Sequence, residues 1–293
     1  VSAKAPKAEY QIVTTGGNQS QFEMLKSLEL TLEEMEQIKK HCDNLGIMFL
    51  CTPYDHESVY ALDKLNIPAF KIASADIVHI PLLRQMASTK RPLLLSTGMS
   101  DLAEVEDAVA VMISSGATDN FILLHCTSEY PASIAESNLK AIVPLIQAFN
   151  CPVGFSDHTP GTIASQLAVA LGACVIEKHF TLDDSLPGPD QRASLNIASF
   201  RKLVEFIRET EQALGDGVKK PTPGAQSNKQ VMQRSLVAAR NIKKGDKIVQ
   251  EIITIKRPGT GLSPKLYDAI LGLTTTRDIT KGEILTLDSL NWT

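Results

Sequence analysis

Pro152-Val153-Gly154-Phe155-Ser156-Asp157-His158-Thr159 and Ala173-Cys174-Val175-Ile176-Glu177-Lys178-His179-Phe180-Thr181 are two short apolar runs, each closing on a histidine. Between them Ile163, Leu167, Ala170 and Leu171 recur at three- and four-residue spacing, which predicts one helix over 161–172. Strand, helix and strand within about thirty residues is the βαβ unit of a parallel sheet. In such units chemistry gathers at the C-terminal strand ends, where both histidines fall. Alternation puts Ser156 with His158 on one strand face and Glu177 with His179 on the matching face of the next. A strand-end histidine is also an ordinary hydrogen-bonded structural residue, but two imidazoles beside a carboxylate are what a divalent-metal site with an open position needs.

Outward from that unit, one pattern recurs. Apolar runs at 47–51, 69–73, 92–96, 121–126, 152–155 and 174–176 alternate with amphipathic stretches at 57–65, 81–88, 102–114, 138–149 and 161–171. Short runs buried on both faces, alternating with helices, predict a parallel α/β sheet. No Gly-x-Gly-x-x-Gly follows any run, which argues against a dinucleotide-binding fold. Each run ends in polar residues, as in a closed (β/α)8 TIM barrel with one shared mouth. Six strands are visible and eight are needed, so the expectation is a barrel whose first two strands would precede Val1.

Ahead of the barrel, residues 1–30 read as polar and irregular apart from a short helical stretch at 22–28. Thr31 and Glu34 form a capping box for a helix with a buried stripe of Leu32, Met35, Ile38, Cys42 and Leu45, ended by Gly46. The last barrel helix runs over 200–214, and the Gly- and Pro-rich 215–229 reads as a linker. Residues 230–293 read as a small β-rich domain, because Arg240-Asn241-Ile242-Lys243-Lys244-Gly245 returns 37 residues later as Arg277-Asp278-Ile279-Thr280-Lys281-Gly282.

Composition bounds the function. The chain has 293 residues, 43% hydrophobic and 21% charged, as in an ordinary globular protein. A net charge of −4 argues against nucleic acid or an anionic membrane as partner. Five cysteines without a Cys-x-x-Cys, with Cys51, Cys126 and Cys174 inside apolar runs, read as reduced core residues of a cytoplasmic protein. No run reaches transmembrane length.

The stretches Ala8-Glu9-Tyr10-Gln11, Ser96-Thr97-Gly98-Met99, Leu124-His125-Cys126-Thr127 with Tyr130-Pro131, Ser156-Asp157-His158-Thr159, Glu177-Lys178-His179, Pro187-Gly188-Pro189-Asp190 and Lys256-Arg257-Pro258-Gly259-Thr260-Gly261 together resemble the sialic acid synthase family, including its legionaminic and pseudaminic acid synthases. The resemblance implies a (β/α)8 barrel followed by an antifreeze-like (SAF) domain. It also implies condensation of phosphoenolpyruvate with an open-chain 2-acetamido sugar of the N-acetylmannosamine type, giving a nine-carbon 2-keto acid and phosphate.

Carried onto this chain, the resemblance makes His158 and His179 the ligands of a divalent ion, Mn2+ first and Mg2+ or Co2+ as alternatives. Lys71 becomes the residue that holds phosphoenolpyruvate, with Thr52, Ser74, Ser96, Ser128 and Ser156 as an anion cradle and Glu177 as an acid beside the reacting carbons. Asn18, Asp76, Tyr130 and Asp190 match sugar contacts; Arg257 matches an arginine delivered by the partner on a glycine-tipped loop, which implies a domain-swapped homodimer. An acidic strand and a lysine–glutamine strand of the family have no counterpart after Val1. Two other readings stand beside this one: a synthase for a phosphorylated sugar, and a non-catalytic sugar-binding remnant.

Overall fold

A computed structural model describes residues 1–292, which fall into two units, one of Val1–Gly215 and one beginning at Asp216. In the first unit α1 (Glu9–Thr15), α2 (Gln21–Lys26), α3 (Leu32–Leu45) and α4 (His56–Lys64) precede the first strand. Then come β1 (Phe70–Ile72), α5 (Ile80–Ser88), β2 (Leu93–Ser96), α6 (Leu102–Ser114), β3 (Phe121–Cys126), α7 (Ile142–Phe149), β4 (Val153–Asp157), α8 (Ile163–Ala170), β5 (Ile176–Lys178) and α9 (Ile197–Leu214). The strands lie in chain order β1-β2-β3-β4-β5, and all four pairings are parallel. These are consecutive staves of the expected β/α barrel order.

Strand alternation divides the sheet's two faces. Phe70, Ile72, Leu93, Leu95, Leu123, Val153 and Phe155 face the helices and pack with Leu82, Leu83 and Met86 of α5, Val105, Ala108 and Met112 of α6 and Ala164 and Ala168 of α8. The opposite face carries Lys71, Ser96, Cys126, Ser156 and Glu177; the register sets Cys126 beside Ser156 and Ser156 beside Glu177. Gly154 has no room for a side chain: a Cβ there would lie 2.6 Å from both Leu124 Cδ2 and the Val175 carbonyl oxygen.

Several expectations are corrected. Residues 47–51 do not form a strand and keep only one parallel bridge, Cys51 to Phe70. The Thr31–Glu34 capping box and a left-handed Gly46 bound α3 as expected, but its apolar stripe is not buried. Met35 packs against the core, whereas Leu45 is 69% exposed, and Leu32 and Ile38 are exposed as well. That side of the helix stays largely open to solvent. Residues 9–15 are helical rather than irregular: the Gln11 side chain accepts from the Ala8 N–H (3.0 Å), and Lys7 Nζ donates to the Gly16 carbonyl at the other end (3.0 Å). Cys174 is exposed rather than a core residue, and all five cysteines are free thiols.

The stretch 215–229 is not an irregular linker throughout, because α10 (Pro223–Met232) starts inside it, with Thr222 as cap and proline at its first position. In the second unit β6 (Ser235–Ala238) pairs antiparallel with β7 (Ile253–Lys256); α11 (Tyr267–Ile270) and the pair β8 (Thr274–Thr275) and β9 (Leu290–Asn291) follow. The 37-residue repeat is an internal two-fold. Ala238 faces Ile253, and Thr275 faces Leu290. Ile242 and Ile279 exchange two backbone hydrogen bonds of 2.9 Å across the axis, and the Asn241 and Asp278 side chains each accept from the backbone N–H of the other repeat's lysine, Lys281 and Lys244. Gly245 and Gly282 take positive φ at the two equivalent turns, as a glycine there allows.

Candidate active site

The inner face of the sheet opens into a cavity of about 670 Å³. Eleven of the residues singled out from the sequence line it: Thr52, Lys71, Ser74, Ser96, Ser128, Tyr130, Ser156, His158, Glu177, His179 and Asp190. Lys71 Nζ donates to Ser96 Oγ (2.8 Å) and the Ile72 carbonyl (2.9 Å), and lies 3.6 Å from Glu177 Oε2. The last contact joins the first strand to the fifth across the inner face. Ser74 Oγ accepts from the Gly98 N–H (3.0 Å) and sits 3.2 Å from Cys126 Sγ. Burial pushes the Cys126 thiol up, so it stays protonated.

The histidine end is organised by hydrogen bonds. Because a carbonyl only accepts, the 2.7 Å contact to the Thr127 oxygen places the His158 proton on Nδ1. Burial holds His158 below the usual histidine range, so the imidazole is neutral and Nε2 carries a lone pair. Ser156 Oγ lies 3.3 Å from that nitrogen but gives its proton to Glu177 Oε1 (2.6 Å). His158 Nε2 is therefore left without a donor. The His179 ring lies 5.4 Å from that of His158, its Nδ1 is 3.8 Å from Asp190 Oδ2, and Tyr130 stacks 4.2 Å from His158. A neutral imidazole with an open lone pair beside a second imidazole fits a divalent ion. Among the described residues no group of three or more His, Cys, Asp or Glu side chains could hold a metal ion.

Three predicted residues lie elsewhere. Asn18 is exposed in the turn between α1 and α2 and does not line the cavity. Asp76 sits one residue beyond the lining residue Ala75; its Oδ2 is buried without a partner, and burial raises its pKa. Arg257 belongs to the second unit, exposed at the end of β7. Its loop is pinned rather than flexible. Buried Ser235 donates to the Pro258 carbonyl (2.7 Å) and accepts from Gly261 N–H (2.9 Å), Gly259 N–H donates to the Gln230 carbonyl (2.8 Å), and a Cβ on Gly261 would lie 2.1 Å from Ile284.

The sequence reading missed Tyr10, Gln11, Gln21 and Tyr54 as lining residues. Tyr10 stacks on Tyr130 at 5.1 Å, and Gln11 accepts from Gln21 Nε2 at 3.2 Å. The signal for Tyr10 and Gln11 was present in the stretch 8–11, but a helix there was not foreseen. Tyr54 stands in a segment without periodicity.

The parallel β/α sheet thus brings a lysine, hydroxyls, a carboxylate and two histidines to one mouth. The NeuB family model matches residues 1–219 and the SAF domain model residues 233–291. The chain is 44% identical over 286 residues to the N,N'-diacetyllegionaminic acid synthase of Campylobacter jejuni, covering 97% of this chain and 86% of that protein. It is 42% identical to the Legionella pneumophila enzyme of the same name, over 97% of this chain and 81% of that protein. The crystal structure of the N-acetylneuraminic acid synthetase of Leptospira borgpetersenii superposes with a TM-score of 0.69 at 33% identity, over 75% of this chain and 76% of that one. The chain belongs to the NeuB, or sialic acid synthase, family. No helix among the described residues is long and apolar enough to cross a membrane.

Proposed function

We propose that the cavity condenses phosphoenolpyruvate with an open-chain 2-acetamido sugar to give a nine-carbon 2-keto acid and inorganic phosphate. The observation that carries this reading is the joining of Lys71, Ser96, Glu177 and Ser156 into one chain of contacts that ends at the open Nε2 of His158. In the reaction C3 of phosphoenolpyruvate adds to the aldehyde carbon and the aldehyde oxygen takes a proton. Water adds to the former enol carbon, and phosphate leaves from it.

Lys71, sheltered between Ser96 and Glu177, supplies the cation an anionic substrate needs, and Thr52, Ser74, Ser128 and Ser156 add hydroxyls around it. Glu177 is the carboxylate that receives or returns a proton beside the reacting carbons, steered by Ser156. Tyr130 and Asp190 face the sugar from the histidine side, with Asp76 and Asn18 farther out. His158 and His179 hold a divalent ion, Mn2+ in preference to Mg2+ because imidazole is a softer ligand than oxygen. Such an ion supplies Lewis-acid polarisation of the sugar carbonyl. Arg257, with no hydrogen bond or ion pair among the described residues, reaches the sugar of a second copy in a domain-swapped homodimer. Free thiols suit a cytoplasmic setting.

The Campylobacter and Legionella relatives favour a diacetamido acceptor over N-acetylmannosamine. The test is phosphate release with Mn2+, phosphoenolpyruvate and a panel of 2-acetamido hexoses. Release that requires one of these sugars is expected; release that ignores the sugar, or requires a sugar phosphate, overturns the reading.

A further inference from the structure

We infer that the buried Asp157–Lys178 ion pair is a register lock, whose two residues position His158 and His179 for the reaction; the inference rests on the cavity reading above. Asp157 and Lys178 are cross-strand partners on β4 and β5 and point away from the cavity, with side chains 0% and 1% exposed and 3.1 Å between charged atoms. Their hydrogen-bonding capacity is largely used. Asp157 Oδ1 accepts from the Thr159 N–H (2.8 Å) and hydroxyl (2.7 Å), Oδ2 accepts from Ser165 Oγ of α8 (2.5 Å), and Lys178 Nζ donates to the Thr159 carbonyl. Both charges therefore grip Thr159, the residue after His158.

A buried ion pair adds little net stability over apolar residues of the same volume, and its best-attested use is to fix register. Register matters acutely here. The apolar parts of β4 and β5 are short, and a one-residue slip of β5 would turn Lys178 into the cavity and Glu177 toward the helices. Only the observed pairing lets Lys178 meet Asp157 while Glu177 meets Ser156 on the other face and the two imidazoles lie 5.4 Å apart.

The test is the neutral, near-isosteric double variant Asp157→Asn/Lys178→Met, examined by thermal unfolding, by histidine side-chain ¹H–¹⁵N spectra of the metal-free protein, and by steady-state kinetics. It should stay folded yet lose or shift the Nδ1–H resonance that His158 owes to its bond with the Thr127 carbonyl. Turnover should fall about 10- to 100-fold, the range for removing a partner one step behind a ligand. The loss should appear more in kcat than in KM for phosphoenolpyruvate, since Lys71, Ser96, Thr52, Ser74 and Ser128 stand outside β4 and β5 and only Ser156 of the hydroxyls shares them. A wild-type histidine spectrum with wild-type kcat overturns the lock. Should the double variant not fold, Ser165→Ala keeps both charges and removes only the bond to Oδ2; it should shift the same resonance, and an unshifted one overturns the inference. If the wild type condenses no sugar, the functional reading falls, while the histidine resonances still decide the lock.

Discussion

At the β4–β5 end of the sheet, both faces are satisfied: Phe155 packs among helices, Asp157 and Lys178 pair behind it, and Ser156 and Glu177 bond in front. Beyond β1, at the other end, the same kind of alternating sequence is left half used. Residues 47–51 pair with β1 through Cys51 alone, only Phe49 and Cys51 of them pack against the core, Met48 is 78% exposed, and the apolar stripe of α3 meets the core only through Met35. Apolar periodicity says which residues gain from burial; a neighbouring element decides whether they get it. Polar cross-strand partners constrain more, because each buried charge or hydroxyl demands one specific partner.

Substitutions can break this contrast. The largest effect is expected at the histidines: His158→Ala and His179→Ala should each bring metal-stimulated phosphate release down to background, and full activity in either removes that residue from the metal site. On the packed face, Leu95→Ala should cost about 2–5 kcal/mol in denaturant unfolding, as buried leucines do. Lys71→Met should raise KM for phosphoenolpyruvate about 10- to 100-fold, from the loss of a charged hydrogen bond of roughly 1.5–3 kcal/mol, with little change for the sugar.

A smaller effect is expected from pH. Burial lowers the pKa of both His125 and His158, so the unfolded chain takes up protons first as pH falls. Their contribution to stability is full above the unfolded value of about 6.5 and declines as pH drops through it. Unfolding of the metal-free protein between pH 7.5 and pH 5 should show this slope, and His125→Gln should flatten it. The smallest effect is expected on the uncovered face: Leu45→Gln should change stability by no more than about 0.5 kcal/mol, and a larger loss would show that something covers α3 in solution.

Much of the fold was legible in residues whose signals are local. The Thr31–Glu34 box, the limits of α6 and the 37-residue repeat all read directly, because capping, helical periodicity and turn glycines act within a few residues. The mouth residues were also legible, since strand ends and alternation place Ser156, His158, Glu177 and His179 together. Much of what escaped depends on partners distant in sequence. Whether 47–51 becomes a strand rests on pairing with β1; α1 escaped for another reason, because its caps are local but Ala8 at the N-cap offers no side-chain acceptor to announce them. The 215–229 stretch was misread because Pro223 opens a helix as readily as it interrupts one. Asp157 and Lys178 were visible as letters, but their pairing appears only once β4 and β5 are in register.

The most direct measurement is the mass of the product formed from phosphoenolpyruvate and a 2-acetamido sugar. Phosphate released in equal amount with a new acid, heavier than the acceptor by one pyruvate unit, is the predicted result. Pyruvate and phosphate alongside unchanged sugar would contradict the claim that this cavity makes a carbon–carbon bond.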